Sequence, residues 1–172
     1  ICGPGNNGGD GLVAARYLEG KARPVVFLVP SSGDIKSELT KKNWDKYKGE
    51  KHDNINPEDI EDGFDVVVEC LFGTGVKGEL KEPYQSIVGR INELQAKKVS
   101  VDLPAPGYQE DLIISFMTPK HPQATTVDIG YPEWLRKKIG VGEVKALREP
   151  LPYSHKGDNG KVLIIGGSRT YH

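Results

Sequence analysis

Four short runs in this chain, Pro24 to Pro30 (PVVFLVP), Asp65 to Cys70 (DVVVEC), Lys98 to Leu103 (KVSVDL) and Asp111 to Phe116 (DLIISF), are β-branched, with apolar residues in succession. Runs of this kind are strands covered on both faces, which is the signature of a parallel sheet with helices on either side. Helical spacing falls between them. Leu12, Val13, Arg16 and Tyr17 follow Asp10, and Ile87, Val88, Ile91 and Leu94 follow Pro83, a residue suited to a first helical turn. A weaker amphipathic stretch carries Ile35, Leu39 and Trp44, with Asp34 as its expected cap. The alternation predicts an α/β architecture built on a mainly parallel sheet.

At 172 residues and 37% hydrophobic, the chain can bury one domain and the beginnings of another. A formal net charge of -1 gives no general attraction to phosphodiester backbones or anionic membranes, so neither nucleic acid nor membrane is an expected partner. Cys2 and Cys70 stand far apart without a Cys-x-x-Cys spacing, which suits buried free thiols in a reducing cytoplasm. No apolar run reaches membrane-spanning length and no signal segment opens the chain, so a cytoplasmic protein is expected. Both ends read as cut: Ile1-Cys2-Gly3 looks like the last step of a buried strand, and Tyr171-His172 follows a strand and a glycine turn. Pro150, Pro152 and the polar stretch from Tyr153 to Gly160 interrupt the pattern before a new strand at Lys161 to Ile165. A linker is placed between about Arg148 and Gly160, dividing the chain into 1–148 and 149–172.

The strongest local signal is Gly3-Pro4-Gly5-Asn6-Asn7-Gly8-Gly9-Asp10-Gly11, between a strand end and a helix start. Glycines there let the main chain approach a ligand, and the helix presents unpaired N–H groups to an anion. Gly3, Gly5 and Gly8 satisfy G-x-G-x-x-G, but the next strand ends in Pro30-Ser31-Ser32 and lacks the acidic residue that holds a ribose. A conventional dinucleotide-dependent oxidoreductase is therefore disfavoured. Asn6, Asn7 and Asp10 add side-chain donors and acceptors where a plain phosphate loop needs only backbone, although Asn-Gly and Asp-Gly are also common turn dipeptides.

Gly3 to Arg16 (GPGNNGGDGLVAAR) resembles the first signature of the YjeF N-terminal family, the NAD(P)H-hydrate epimerases. Glu69 to Gly78 (ECLFGTGVKG), followed by Pro83, resembles the second, Ser100 to Pro104 (SVDLP) the third, and Thr118-Pro119-Lys120 a shorter fourth. All occur in family order across roughly residues 1 to 145. The resemblance implies a Rossmann-like three-layer αβα sandwich. The tail from Ser154 to Ser168 resembles the opening of the ribokinase-like, ADP- or ATP-dependent NAD(P)H-hydrate dehydratase, which implies a bifunctional protein.

The implied substrate is NADH or NADPH hydrated across the nicotinamide C5–C6 bond, NADHX or NADPHX. The hydroxyl-bearing carbon is bonded to nitrogen, so the centre is a hemiaminal. Its handedness is scrambled by losing and regaining the hydroxyl or by opening and reclosing the ring. Either route moves a proton at oxygen, so the site needs a general acid/base within hydrogen-bond reach. Asp102, at the carboxyl end of a buried strand where open α/β sheets place their ligands, is the candidate proton carrier; a turn-capping Asp before Pro104 is the alternative.

By the resemblance, Asn6, Asn7, Gly8, Gly9 and Asp10 contact the hydrated dinucleotide. The loop Gly73, Thr74, Gly75, Val76, Lys77, Gly78 and Glu79 does so too, its amides and Lys77 suited to pyrophosphate. The family also binds a potassium ion through oxygens, which at matching positions include Asn7 and Glu69. A homo-oligomer is expected.

Two departures stand out. The family usually has Asp where Glu69 stands, and the usual Ser-Gly of the third motif is Ala105-Pro106 here, removing a serine ligand. A stretch that separates this motif from the next strand in the family is also nearly missing before Tyr108 to Asp111. Either the site is trimmed or the flanks of an omitted loop are joined, and the second reading is favoured. Ala105 supports a competing reading, a scaffold or ligand-binding protein that keeps the pocket and has lost catalysis; Asp102, Asn7 and the dehydratase-like tail oppose it.

Overall fold

The computed structural model describes residues 1–76 and 78–136, together with 140, 142, 153 and 154. The chain divides into two compact units, Ile1–Gly130 and Tyr131–His172. The described part of the second contains one short helix, α4 (Glu133–Arg136). The linker and strand expected between Arg148 and Ile165 lie outside the described residues, apart from Tyr153 and Ser154.

The first unit runs α1 (Asn6–Leu18), β1 (Val25–Leu28), α2 (Glu38–Lys46), β2 (Glu50–Asp53), β3 (Val66–Glu69), α3 (Tyr84–Glu93), β4 (Lys97–Val101), β5 (Leu112–Phe116) and β6 (Thr125–Val127). The strands pair in parallel as β1-β2 and as β3-β4-β5-β6. Residues Ile1 to Gly3 fill the gap between these ladders. Cys2 N donates to Phe27 O at 2.8 Å and Val29 N to Cys2 O at 2.9 Å on one side. On the other, Cys70 N donates to Ile1 O at 2.8 Å and Gly3 N to Cys70 O at 3.0 Å. The spatial order is thus β2, β1, Ile1–Gly3, β3, β4, β5, β6. The chain leaves the central segment towards β1 and β2, then returns to build β3 to β6 on the other side. In doubly wound sheets the crevice outside the carboxyl ends at such a reversal is the ligand site.

Alternate residues of β1 serve opposite faces, as the period of a strand requires. Val26 and Leu28 pack with Leu12 and Ala15 of α1 and with Tyr47; Phe27 and Val29 pack with Ile87, Val88 and Ile91 of α3. Helices on both faces of one parallel sheet make the three-layer αβα sandwich that the sequence predicts. Cys2 and Cys70 are buried free thiols, also as expected.

Three local expectations are corrected. α1 starts at Asn6 with Gly5 as its N-cap, one turn earlier than the apolar spacing indicates, so Gly8, Gly9 and Gly11 lie inside a helix. Close packing surrounds all three, Gly9 against the Thr40 side chain. A Cβ on Gly8 would overlap the carbonyl oxygen of Gly3, and one on Gly11 would lie 2.8 Å from Cys2 Sγ. The cap of α2 is Ser37, whose hydroxyl accepts from Thr40 N at 3.4 Å, whereas Asp34 closes a 3-10 turn and accepts from Ser31 Oγ at 2.8 Å. β4 stops at Val101, because Asp102 turns into the left-handed region at φ 71°.

Candidate functional site

Three segments meet at the carboxyl ends around the reversal: the entry into α1, the Phe72–Gly73 turn after β3, and Asp102 after β4. Asn7 sits in the first turn of α1 and is buried. Its Nδ2 donates to Phe72 O at 2.5 Å and to Val101 O at 3.1 Å, binding the helix start to the tips of both strands. A Cβ on Gly73 would lie 3.8 Å from Asp102 Oδ2 and 3.9 Å from Asn7 Cβ, so Asn7, Gly73 and Asp102 adjoin.

Asp102 is nearly enclosed, its side chain 13% exposed. Its Oδ2 pairs with Lys120 Nζ at 2.6 Å. Asp102 Oδ1 and Asn7 Oδ1 are buried with no hydrogen-bond partner among the described residues. Buried acceptors are nearly always satisfied, so two orphaned oxygens on adjoining residues point to donors or a cation supplied by a ligand. Backbone conformation also marks the place: Asp102 (φ 71°) and Met117 (φ 65°) are left-handed at the ends of neighbouring strands. Conformations of that kind cost of order 1–3 kcal/mol each and collect at functional sites.

Asp10, four residues beyond Asn6 on α1, faces the same charges. Partial burial and then the negative charge of Asp102 push its carboxyl up, while Lys120 pulls it down. Asn6 and Asp10 are exposed on the helix, whereas Gly8 and Gly9 are buried.

Glu69 lies behind this surface, fully buried. Oε1 accepts from Leu71 N at 2.7 Å; Oε2 accepts from Ser100 Oγ at 2.8 Å and from Ala105 N at 3.1 Å. Burial pushes its carboxyl up and the three hydrogen bonds pull it down. Ala105 has no side-chain oxygen, but its backbone N–H is a donor to this carboxylate. The stretch after it is a compact turn. Tyr108 N donates to Ala105 O at 2.9 Å, Asn92 Nδ2 donates to Gly107 O at 2.8 Å, and Tyr108 is buried.

A potassium ion is implied by the resemblance, with Asn7 and Glu69 as its side-chain donors. Asn7 Oδ1 is a hard oxygen without a partner. A carboxylate has about four acceptor positions and Glu69 uses three, leaving one on Oε1. Both are hard oxygens of the kind a large monovalent cation takes, and Ala105 brings no side-chain oxygen to add to them.

In the second-signature loop, Gly73 and Val76 are half-buried while Thr74, Gly75, Gly78 and Glu79 are exposed; Lys77 lies outside the described residues. A cleft of about 340 Å³ runs beside it, lined by Gly73, Val76, Leu103, Ala105 and His121 among others. Lys120, the last residue of the Thr-Pro-Lys element, carries no role on sequence grounds. A lysine just past the end of the strand that neighbours the carboxylate's own is the available signal.

The family described as YjeF-related protein N-terminus matches residues 1–121. The chain belongs to this family. Within it, the bifunctional NAD(P)H-hydrate repair enzyme Nnr of Methanocaldococcus jannaschii is 40% identical over 194 residues, covering 100% of this chain and 39% of that protein. The Nnr enzyme of Archaeoglobus fulgidus is 38% identical over 188 residues, covering 97% of this chain and 39% of its own length. This YjeF-related chain thus spans 39% of the length of these curated relatives. Both aligned regions are longer than the chain's 172 residues, which fits a stretch that the relatives have and this chain lacks. The crystal structure of yeast ynu0, YNL200c, matches with a TM-score of 0.55 at 27% identity, over 69% of this chain and 57% of that chain.

Proposed function

We propose that this chain is the epimerase part of a bifunctional nicotinamide-repair protein, interconverting the R and S forms of NADHX and NADPHX at nicotinamide C6. The observation that carries the reading is Asp102 Oδ1, a buried carboxylate oxygen without a partner at the switch point of the sheet. An acid/base for a hemiaminal hydroxyl needs an oxygen in that state. Asp102 moves the proton; Asn6, Asn7, Gly8, Gly9 and Asp10 from α1, and Gly73 to Glu79 including Lys77, bind the dinucleotide. The start of α1 supplies N–H groups to its phosphates. The names of the relatives support this substrate class.

Potassium would be held by Asn7 and Glu69, and when bound it supplies fixed positive charge beside the substrate. In the same reading the epimerase domain covers 1–148, residues 149–172 open the ADP- or ATP-dependent dehydratase, and the protein is a cytoplasmic homo-oligomer. No helix of the described residues is long and apolar enough to cross a membrane. The scaffold reading has less support, since Ala105, its main argument, contributes its N–H to the Glu69 network.

The test uses the full-length protein and one purified epimer of NADHX. Chromatography should show the other epimer appearing far faster than in buffer. A protein that binds the hydrate without changing the epimer ratio would establish the scaffold reading instead.

A further inference from the structure

Lys120 is fixed to Asp102 through both side chain and backbone. Lys120 Nζ stands 2.6 Å from Asp102 Oδ2. Ser115 of β5, fully buried, donates its hydroxyl to the carbonyl of Asp102 at 3.1 Å and accepts from Lys120 N at 3.4 Å. Asp102 and Met117, just past the ends of the neighbouring strands β4 and β5, are both in the left-handed region. One carboxylate oxygen is therefore anchored, and the other, Oδ1, stays buried and unpartnered.

We propose that Lys120 is a positioning residue that anchors Asp102 through Oδ2 and leaves Oδ1 to the substrate, so that epimerisation proceeds by ring opening and not by loss of the hydroxyl. This inference rests on the hemiaminal substrate proposed above. A carboxylate ion-paired through one oxygen starts a reaction by accepting a proton through the other; departure of the hydroxyl as water would need it to begin as a donor. Oδ1 takes the proton of the C6 hydroxyl. The O–H electron pair closes to C6=O, the C6–N1 bond breaks, and its electrons pass to N1, conjugated with the ring carboxamide. The carboxyl then returns the same proton to N1. Rotation about C5–C6 and the reverse sequence close the ring on the other face. No atom is gained or lost, and the oxygen stays on C6 throughout.

The decisive experiment follows epimerisation of purified NADHX by the full-length protein in ¹⁸O-water, with mass spectrometry of the epimer formed in the first turnovers. Ring opening predicts ¹⁶O retained in the new epimer. One ¹⁸O incorporated per inversion overturns the proposal. Wild-type protein that fails to interconvert the epimers at all sinks the proposed function, a separate outcome from inversion with label.

Two variants test Lys120 itself. Lys120→Met should lower kcat by about 10- to 100-fold with KM within about threefold, and Lys120→Arg should recover most of the loss. A Lys120→Met protein that turns over like wild type, or a Lys120→Arg protein as impaired as Lys120→Met, overturns the assignment. Urea midpoints give a readout independent of activity. The double variant Asp102→Asn/Lys120→Met should unfold close to the single variants, whereas strictly additive midpoints contradict the pairing.

Discussion

Asn7 Nδ2 donates to the carbonyl of Val101 at 3.1 Å, so the first turn of α1 is bound to the end of β4 one residue before Asp102. The same nitrogen reaches Phe72 O. Replacing Asn7 with Ala strands two carbonyls and frees the helix start. Asn7→Ala should cost about 2 kcal/mol in urea unfolding, from the loss of buried hydrogen bonds. Stability within about 0.5 kcal/mol of wild type would show that the link carries no load.

Asn7 and Glu69 also carry the potassium assignment. The thermal midpoint should rise when tetramethylammonium chloride is replaced by potassium chloride at equal ionic strength, and Asn7→Ala should abolish the rise, since a ligand stabilises only the state that binds it. Identical midpoints in both salts would remove potassium from the account.

The glycines at the start of α1 separate by what surrounds them. A Cβ on Gly8 meets the main chain of Gly3, which cannot give way, whereas one on Gly5 meets nothing within 4 Å. Gly8→Ala should therefore destabilise by about 3 kcal/mol or prevent folding, and Gly5→Ala should stay within about 1 kcal/mol of wild type. Circular dichroism melts compare them directly. Equal tolerance at both positions would contradict the packing explanation for Gly8.

Asp111 accepts from Lys98 N at 2.7 Å and pairs with Lys97 Nζ at 3.4 Å. The backbone hydrogen bond, then Lys97, holds its carboxyl below the usual carboxylate range. A depressed carboxylate stabilises the fold above its unfolded-state value, and that stabilisation is lost as pH falls through the depressed one. Asp111→Asn should thus lose stability at neutral pH and approach wild type as pH falls below the ordinary carboxylate range. A difference between the proteins that does not change with pH would contradict this.

The strands β1, β3, β4 and β5 were legible because each carries closely spaced β-branched and apolar residues, as buried parallel strands do. β2 was not: Glu50-Lys51-His52-Asp53 contains no apolar residue, and only its position at the sheet edge and the stacking of His52 on Phe27 make it a strand. The start of α1 was misplaced because glycines read as loop wherever close packing is invisible, and Gly8 and Gly11 are glycines for packing. At the site, Asp102 and Asn7 could be found because each stands in a short motif at a strand end. Lys120 needed the third dimension, since it is the pairing of β4 with β5 that sets the segments carrying it and the carboxylate side by side. Glu69 was legible only through its place in the second motif, and its hydrogen bond from Ala105 N involves backbone that a side-chain reading passes over.

The most direct measurement compares single-turnover epimerisation of NADHX by wild-type and Asp102→Asn full-length protein, alongside hydrate binding by calorimetry. The account predicts turnover reduced by about 10²- to 10⁴-fold, the usual contribution of a general acid/base, with Kd changed by no more than a few-fold. Wild-type turnover in Asp102→Asn would contradict it.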